Sequence, residues 1–210
     1  LCARCEGAIL RIDQAHACLR CGAPLVAGRC PECGERDFAF SAARCAALLA
    51  PPISRAVVVL KDSGERRYAA VLAVLLAEAA AGWLRADDVL VPVPASPQAL
   101  RRRGFDHAAD IAQELGRRTG LPVTRALGAT PTADQRSLGR AGRFANRSGA
   151  FRVFPGVAPP RRVVLVDDVF TTGATLDAAA RVLRAAGAAE VRALAVARSC
   201  RAGPRALELP

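Results

Sequence analysis

The chain is poor in several residue types. It has no methionine, a single lysine (Lys61), one tryptophan and one tyrosine among 210 residues. Its basic residues are otherwise 29 arginines, a bias that we attribute to coding composition as much as to chemistry. Hydrophobic residues still make up 52% of the sequence, which excludes a disordered chain and indicates a packed globule. Because methionine is absent and Leu1 comes first, we expect a fragment or a processed chain with a segment missing upstream.

Long hydrophobic runs are also missing. The longest apolar segment, residues 68–84, is mostly alanine, carries Glu78 and is shorter than a comfortable membrane span. We predict a buried amphipathic helix there and no membrane span. The cysteine-rich N-terminus lacks the apolar core of a signal peptide. We therefore expect the protein to be cytoplasmic.

Two common nucleotide-binding motifs are absent. There is no Gly-Lys-Ser/Thr of a P-loop, and no Gly-x-Gly-x-x-Gly follows a strand. What the chain has instead is a run of four apolar residues at 163–166, two aspartates, a short polar loop and a segment with apolar positions at helical spacing. The apolar run predicts a short buried parallel strand. The unit is therefore strand, polar loop, helix.

This loop suits an anion. Free N–H groups converge at a helix N-terminus, and Gly173 lets the backbone approach a ligand closely. The loop also offers hydroxyl donors from Thr171, Thr172 and Thr175. Asp167 and Asp168 would repel a bare phosphate, so their expected targets are sugar hydroxyls or a divalent cation. Together these features indicate a ribose 5-phosphate. The alternative is an ordinary turn in which the acids only cap a helix.

Residues 163–175, Val-Val-Leu-Val-Asp-Asp-Val-Phe-Thr-Thr-Gly-Ala-Thr, resemble the phosphoribosyl-pyrophosphate (PRPP) signature of type I phosphoribosyltransferases at thirteen consecutive positions. A receiver domain also has paired acids after a strand, but near its start, whereas only a short tail follows here. The resemblance implies an α/β fold with a Rossmann-like parallel sheet. It also implies that Asp167 and Asp168 hold the ribose hydroxyls at the catalytic centre and orient magnesium through water.

The N-terminal cysteines come in pairs. Cys18, Cys21, Cys30 and Cys33 form two Cys-x-x-Cys pairs with eight residues between them, which is typical of a structural zinc site. Residues 1–40 contain few large apolar side chains, and zinc can supply an apparent ~10 to 16 kcal/mol of folding free energy. Disulfides are the alternative, but they fit a cytoplasmic chain poorly. We predict a zinc-ribbon module at residues 1–46 and a phosphoribosyltransferase-like domain at residues 47–210.

A third pair, Cys2 and Cys5, is half of a possible second metal site. Either a matching pair lies upstream, or His16 and another ligand complete the site, and we favour the first. Cys45 and Cys200 stand alone and are expected to be small buried residues.

Further elements follow from the apolar pattern. We predict strands at residues 56–60, 89–94 and 190–197, a short strand near Val123 and a helix at residues 106–118. Strands that alternate with helices imply a parallel sheet with helices on both faces and ligands at the carboxyl ends of the strands.

The net charge of +11 is concentrated in one segment. Residues 101–152 carry 11 basic and 4 acidic residues. The second half of this segment belongs to a glycine- and arginine-rich stretch at 127–153, and a loop of that length is usually functional or mobile.

The order of motifs along the whole chain resembles that of the competence protein F (ComF) family. Members of this family join a cysteine-rich zinc ribbon to a phosphoribosyltransferase domain and are linked to DNA uptake. The matching pieces are the cysteine pairs, Leu60-Lys61 with Gly64, residues 91–94, residues 102–105, residues 143–151 and the signature. Two features depart from the family. Asp106-His107 stands where Asn-Gln is usual, and three cysteine pairs are present where four are usual.

The resemblance implies a set of PRPP contacts and structural zinc, with magnesium accompanying PRPP. The expected contact residues are Val169, Thr171, Thr172, Gly173, Ala174, Thr175, Pro94, Ala95, Arg102 and Arg103. No general base is evident. His107 is the nearest candidate, but a histidine at a helix start is more often a cap or a surface residue.

The basic segment indicates a second function. Its arginines and phenylalanines could follow a single-stranded DNA backbone and stack bases, or they could bind only pyrophosphate or solvate a loop. The candidates are Arg101, Phe105, Arg136, Arg140, Arg143 and Arg147.

Two hypotheses about the function of the whole protein stand. The protein is an enzyme that transfers phosphoribose to an unidentified acceptor, or a non-enzymatic PRPP sensor that binds DNA and a partner such as a competence helicase.

Overall fold

The structure is a computed structural model that describes residues 2–34, 36–130 and 149–201. A short 3-10 turn, Gln14–His16, lies in the N-terminal segment. The helices and strands in chain order are α1 (Ala3–Gly7), β1 (Ala43–Leu48), α2 (Ile53–Asp62), α3 (Tyr68–Ala79), β2 (Val89–Pro92), α4 (Pro97–Arg103), α5 (His107–Thr119), β3 (Leu127–Ala129), β4 (Phe151–Val153), β5 (Arg162–Phe170), α6 (Ala174–Ala185) and β6 (Glu190–Arg198).

The core is a parallel sheet of four strands in the order β1-β6-β5-β2. Alternate residues of β5 point to opposite faces. Val163 and Leu165 pack with α6 and the N-terminal cysteine segment, whereas Val164 and Val166 pack with α2, α3 and α5. Because both faces of the sheet are covered here, residues 163–166 of β5 form a continuous apolar run. The predicted α/β architecture is confirmed.

Strand β5 is longer than its apolar run. It extends from Arg162 to Phe170, so Asp167 and Asp168 lie in the strand and not in the loop after it. Asp167 and Val169 pair with Ala195 and Ala197 of β6. The acid pair is therefore held by the sheet ladder, which fixes its backbone more firmly than a loop would.

The predicted strand at residues 56–60 is wrong, because these residues belong to α2. The buried residues of this helix are Ile53, Ala56, Val57 and Leu60, which recur at helical spacing. The β-branched run at 57–59 favours a strand when it is read alone. The helical spacing of the buried residues can be recognised only when Ile53, which precedes the run, is included.

Other predicted elements stand closer to the structure. The strands at 89–94 and 190–197 correspond to β2 and β6, the helix at 106–118 to α5, and the alanine-rich helix to α3. The predicted strand near Val123 is reduced to a single bridge between Val123 and Leu90. Among residues 2–34, 36–130 and 149–201, no helix combines the length and apolarity needed to span a bilayer.

Strand β1 has no counterpart in the sequence prediction. Its residues are almost all buried, including Cys45, and it pairs with β6. The N-terminal segment bonds along its other edge, where Ile12 N donates to Ala46 O at 3.0 Å and Leu48 N to Leu10 O at 2.8 Å. The predicted boundary between residues 46 and 47 falls inside β1. The division into two modules stays a prediction.

Candidate functional site

The candidate site lies where β5 and β2 end. At this edge Asp167 and Asp168 are 8% and 3% exposed. Asp167 Oδ1 accepts a hydrogen bond from Asp168 N at 2.8 Å, and Val93 N donates to Val166 O at 2.9 Å, which joins the two strand ends. Buried carboxyl groups are costly unless they are neutral or paired, so their partners determine what the site can do.

Asp168 has two partners from distant parts of the chain. The Nζ atom of Lys61, near the end of α2, contacts Asp168 Oδ2. The Nε2 atom of His107, the first residue of α5, lies 3.7 Å from Asp168 Oδ1. Lys61 was not among the predicted site residues, although Leu60-Lys61 was part of the family resemblance. As the only lysine in the sequence, it could have been singled out as a candidate.

The two carboxyl groups differ in pKa. Burial raises the pKa of Asp167 well above its usual range, and the charge of Asp168 raises it further. Burial also opposes ionisation of Asp168, but His107 and Lys61 outweigh it and lower the pKa of this group. The pair thus combines one carboxyl group whose raised pKa favours the protonated, hydrogen-bond-donating form with one whose lowered pKa favours the charged, accepting form. Such a pair fits sugar hydroxyls, which both donate and accept.

The expectation that His107 is a cap or a surface residue is wrong. Asp106 is the cap, since its Oδ1 accepts from Ala108 N and Ala109 N at 3.2 and 3.3 Å. His107 is 7% exposed, and its Nδ1 lies 3.5 Å from Arg103 Nη1. The histidine therefore connects Arg103 at the end of α4 to the acid pair.

Residues 94–95 and α4 border the acid pair on the β2 side. Asp106 Oδ2 accepts from Ala95 N at 3.1 Å, which ties this loop to α5. A cavity of about 240 Å³ opens between the loop, α4 and the β3–β4 hairpin. It is lined by Pro94, Ala95, Leu100, Arg125, Arg152 and Phe154, among others.

The loop after β5 is built around Gly173, the N-cap of α6, whose φ is +82°. A Cβ there would lie 2.8 Å from both Phe170 Cζ and Phe38 Cε1. Thr172 Oγ1 accepts from Ala174 N at 3.3 Å. Gly173 has no side chain that could cap α6, so in the described part of the chain the N–H groups of Thr175 and Leu176 stay available to an anion.

The predicted arginines that the structure describes differ in exposure. Arg101 and Arg102 are exposed in the last turn of α4, and Arg103 is half-buried, 3.6 Å from Asp62. Phe105 is half-buried, and the guanidinium of Arg66 lies 5.6 Å above its ring. That ring face is therefore already covered by a cation. The remaining candidates, Arg136, Arg140, Arg143 and Arg147, lie outside the described residues.

The N-terminal segment that precedes β1, here called the cysteine module, contains a four-thiol cluster. The Sγ atoms of Cys18 and Cys33 are 3.8 Å apart, and Cys30 Sγ lies 3.5 Å from those of Cys21 and Cys33. All four sulfurs lie within 4.8 Å of one another. Thiolates about 2.3 Å from one tetrahedral zinc would be roughly 3.8 Å apart, so the cluster fits zinc.

Cys2 and Cys5 are not part of that cluster. Cys2 is exposed, and His16 is occupied by Asp13, whose Oδ2 lies 2.7 Å from His16 Nδ1. Within the described residues, no metal-ligating group of three or more includes either cysteine. A second group of potential ligands does exist at the candidate site, formed by His107, Asp167 and Asp168.

Comparison with known proteins agrees with this geometry. Residues 76–205 match the family model described as the phosphoribosyl transferase domain, which defines the class of protein. The chain is 28% identical to competence protein F of Haemophilus influenzae over 208 residues, covering 93% of this chain and 90% of that protein. It is 31% identical to the DNA utilization protein YhgH of Escherichia coli K12 over 214 residues, covering 95% and 90%. The chain belongs to the competence protein F family of phosphoribosyl transferase domain proteins.

Solved structures add little to this assignment. The allosteric regulatory enzyme of purine biosynthesis is 25% identical, with 60% of this chain and 25% of the other covered. The TM-score of this similarity is 0.42.

Proposed function

We propose that this chain binds PRPP together with magnesium at the carboxyl end of β5. The observation that carries the proposal is the buried acid pair near the end of β5, whose two pKa values are shifted in opposite directions and which is followed closely by a loop that suits an anion. Asp167 and Asp168 would hold the two ribose hydroxyls. Residues Thr171 to Thr175 would hold the 5-phosphate, in the pattern of helix N-terminal phosphate sites.

Lys61 favours hydroxyls over a directly bound cation at Asp168, because its ammonium already balances the carboxylate charge. Magnesium would then be held by the ligand's pyrophosphate and reach the acid pair through water. The pyrophosphate would face Pro94, Ala95 and Arg103, with the exposed Arg102 nearby. Magnesium would neutralise charge on the leaving group as the bond to the anomeric carbon breaks.

In the enzymatic form of the proposal, pyrophosphate leaves the anomeric carbon with the bonding electron pair, and a lone pair of an acceptor forms the new bond. The acceptor's proton must then go to solvent or to a base. His107 is directed at Asp168 and not at open space, so it acts on the carboxylate and not on the acceptor. In the alternative form the same pocket only senses PRPP.

Calorimetric titration with PRPP and magnesium tests the proposal. We expect the Asp167→Asn, Asp168→Asn double variant to lose at least about tenfold in affinity, because hydrogen bonds to charged groups are worth about 1.5 to 3 kcal/mol each. Asp110→Asn is the matched control, since Asp110 pairs with Arg66 on the surface of α5. Equal affinities in all three proteins would refute the site assignment. Pyrophosphate release with a panel of nucleobases would then separate an enzyme from a sensor.

A second candidate function is binding of single-stranded DNA. It is favoured by the positive charge of residues 101–152 and by the exposure of Arg101 and Arg102 beside the site. The relative in Escherichia coli is named a DNA utilization protein, which agrees with this role. A helicase partner and a cytoplasmic location belong to the same proposal.

A further inference from the structure

Two arginines bond to the back of the loop that follows β5, residues Thr171 to Thr175, here called the phosphate loop. Arg198, the last residue of β6, donates from Nη1 to Phe170 O at 3.2 Å and to Thr171 O at 2.8 Å. Arg36 donates from Nη1 to Thr172 O at 3.1 Å. Three consecutive carbonyl groups of the loop are therefore bonded to guanidinium groups.

These bonds, together with one from Ser199 N to Phe170 O at 2.9 Å, orient the peptide units of the loop and therefore its N–H groups. A trans peptide unit is planar, and its C=O and N–H are directed to opposite sides. The three bonded carbonyls share their peptide units with the N–H groups of Thr171, Thr172 and Gly173. With the carbonyls turned to the arginines, these N–H groups are turned to the other side of the loop, where an anion would bind.

Both arginines connect the loop to the cysteine module. Arg198 Nε donates to Cys21 O at 3.1 Å, and its Nη2 lies 3.9 Å from Glu32 Oε2. Glu32 lies between Cys30 and Cys33 in the sequence. Arg36 follows the last cysteine of the cluster by three positions. Arg198 is 2% exposed and stacks on Phe170, with its guanidinium carbon 4.7 Å from the ring centroid.

Two further contacts support the same junction. Ala39 N donates to Asp177 Oδ1 in the first turn of α6 at 2.7 Å. Phe38 packs against Gly173 and lies edge-on to Phe170, with ring centroids 6.1 Å apart. Residues 36–39, which follow the cysteine cluster, thus contact both the loop and the start of its helix.

We propose that Arg198 is a positioning residue for the 5-phosphate, and that the cysteine module forms the back wall of the ligand site through it. Arg198 turns the loop's peptide units toward the ligand without touching the ligand. Arg36 supports the same loop at the next carbonyl, that of Thr172. The inference rests on the proposed function, since it assumes that the loop binds a phosphate.

The test compares Arg198→Lys with Arg192→Lys. Arg192 is the matched control because it is equally buried on the same strand, but it bonds Asp88 and Trp83 O at the other end of the sheet. Lysine keeps the charge beside Glu32 but cannot donate to Cys21 O and both loop carbonyls in a fixed fork. Calorimetry is run with two probes, ribose 5-phosphate and magnesium pyrophosphate. The first uses the phosphate loop and the second does not.

We expect Arg198→Lys to weaken ribose 5-phosphate binding about tenfold and to leave pyrophosphate binding within about twofold of the wild type. Arg192→Lys should leave both within about twofold. Equal losses for both probes, equal losses in both variants, or no loss in Arg198→Lys would overturn the inference. If Arg198→Lys does not fold, Arg36→Gln decides: a loss of about threefold or more for ribose 5-phosphate alone supports the inference, and no loss overturns it.

Failure of the inference can be told apart from failure of the proposed function. If the wild-type protein binds neither PRPP nor ribose 5-phosphate, the proposed function fails. If the wild type binds both and Arg198→Lys binds them equally well, only the positioning role fails.

Discussion

At the scale of single residues, the site depends on two adjacent carboxyl groups that have different surroundings and therefore different pKa values. Asp168 is paired with Lys61 and faces His107, whereas Asp167 is buried beside a like charge. A carboxyl group with a raised pKa next to one with a lowered pKa suits a diol better than two carboxylates would. The same asymmetry means that the two aspartates should affect stability in opposite directions.

Asp167→Asn should stabilise the protein near neutral pH. The folded pKa of Asp167 is raised, so from about pH 3.9 upward the folded state retains a proton that the unfolded chain releases. Asp167 therefore lowers stability increasingly as pH rises through that window toward its folded pKa. Denaturant unfolding at several pH values should show an advantage of the variant that is absent near pH 4 and grows above it. A constant or negative difference would contradict the pKa assignment.

Asp168→Asn should have the opposite effect. The folded pKa of Asp168 is lowered, so its contribution is fully present above an unfolded pKa of about 3.9 and is lost as pH falls through the lower folded value. The variant also leaves the Lys61 ammonium, about a quarter exposed, without its partner. We expect a loss of about 2 kcal/mol at neutral pH in denaturant unfolding. A variant as stable as the wild type would show that Lys61 and Asp168 are not coupled.

At the scale of elements, the loop between β5 and α6 depends on glycine at one position. Gly173→Ala must adopt a positive φ and also place a Cβ 2.8 Å from two phenylalanine rings. Gly120→Ala is the matched control, because Gly120 has φ +73° but no atom within 4 Å of the added Cβ. We expect about 1 kcal/mol of destabilisation for Gly120→Ala and at least twice that, with loss of PRPP binding, for Gly173→Ala. Similar losses in both would show that the close packing at Gly173 is unimportant.

The cysteine module should carry one metal ion. The thiol geometry of Cys18, Cys21, Cys30 and Cys33 predicts about one zinc per chain by elemental analysis, lost in Cys21→Ser. Cys2→Ser should retain it, because Cys2 lies outside the cluster. Removal of zinc should unfold the cysteine module, because burial of its few large apolar side chains stabilises it only weakly. Much less than one zinc in the wild type would refute the site.

The sequence predicts some elements better than others for physical reasons. The unit from Val163 to Thr175 is readable because a buried parallel strand is apolar throughout and the loop chemistry is local in sequence. Strand β1 was missed because its residues include Arg44 and Cys45 and several alanines, which carry little strand signal. The pairing of Lys61 with Asp168 was not predictable from spacing, because tertiary packing of α2 against the sheet brings them together.

At the scale of the whole molecule, charge and fold place exposed arginines beside the proposed ligand site. Arg101 and Arg102 lie at the end of α4, next to the loop with Pro94 and Ala95. If about five arginines meet phosphates of single-stranded DNA, log K should fall with log salt concentration with a slope of about −3.5. Fluorescence anisotropy with a labelled oligonucleotide measures this slope. Binding that is absent or insensitive to salt would contradict the DNA role and leave PRPP binding as the function of the site.

A crystal structure of the protein with PRPP and magnesium would show directly whether the ligand lies at the carboxyl end of β5. We expect the 5-phosphate within about 3 Å of the N–H groups of the loop from Thr171 to Thr175. We also expect the ribose hydroxyls at Asp167 and Asp168, with Arg198 still bonded to the carbonyls behind the loop. A phosphate bound elsewhere, or an acid pair that contacts no hydroxyl, would contradict the proposed site.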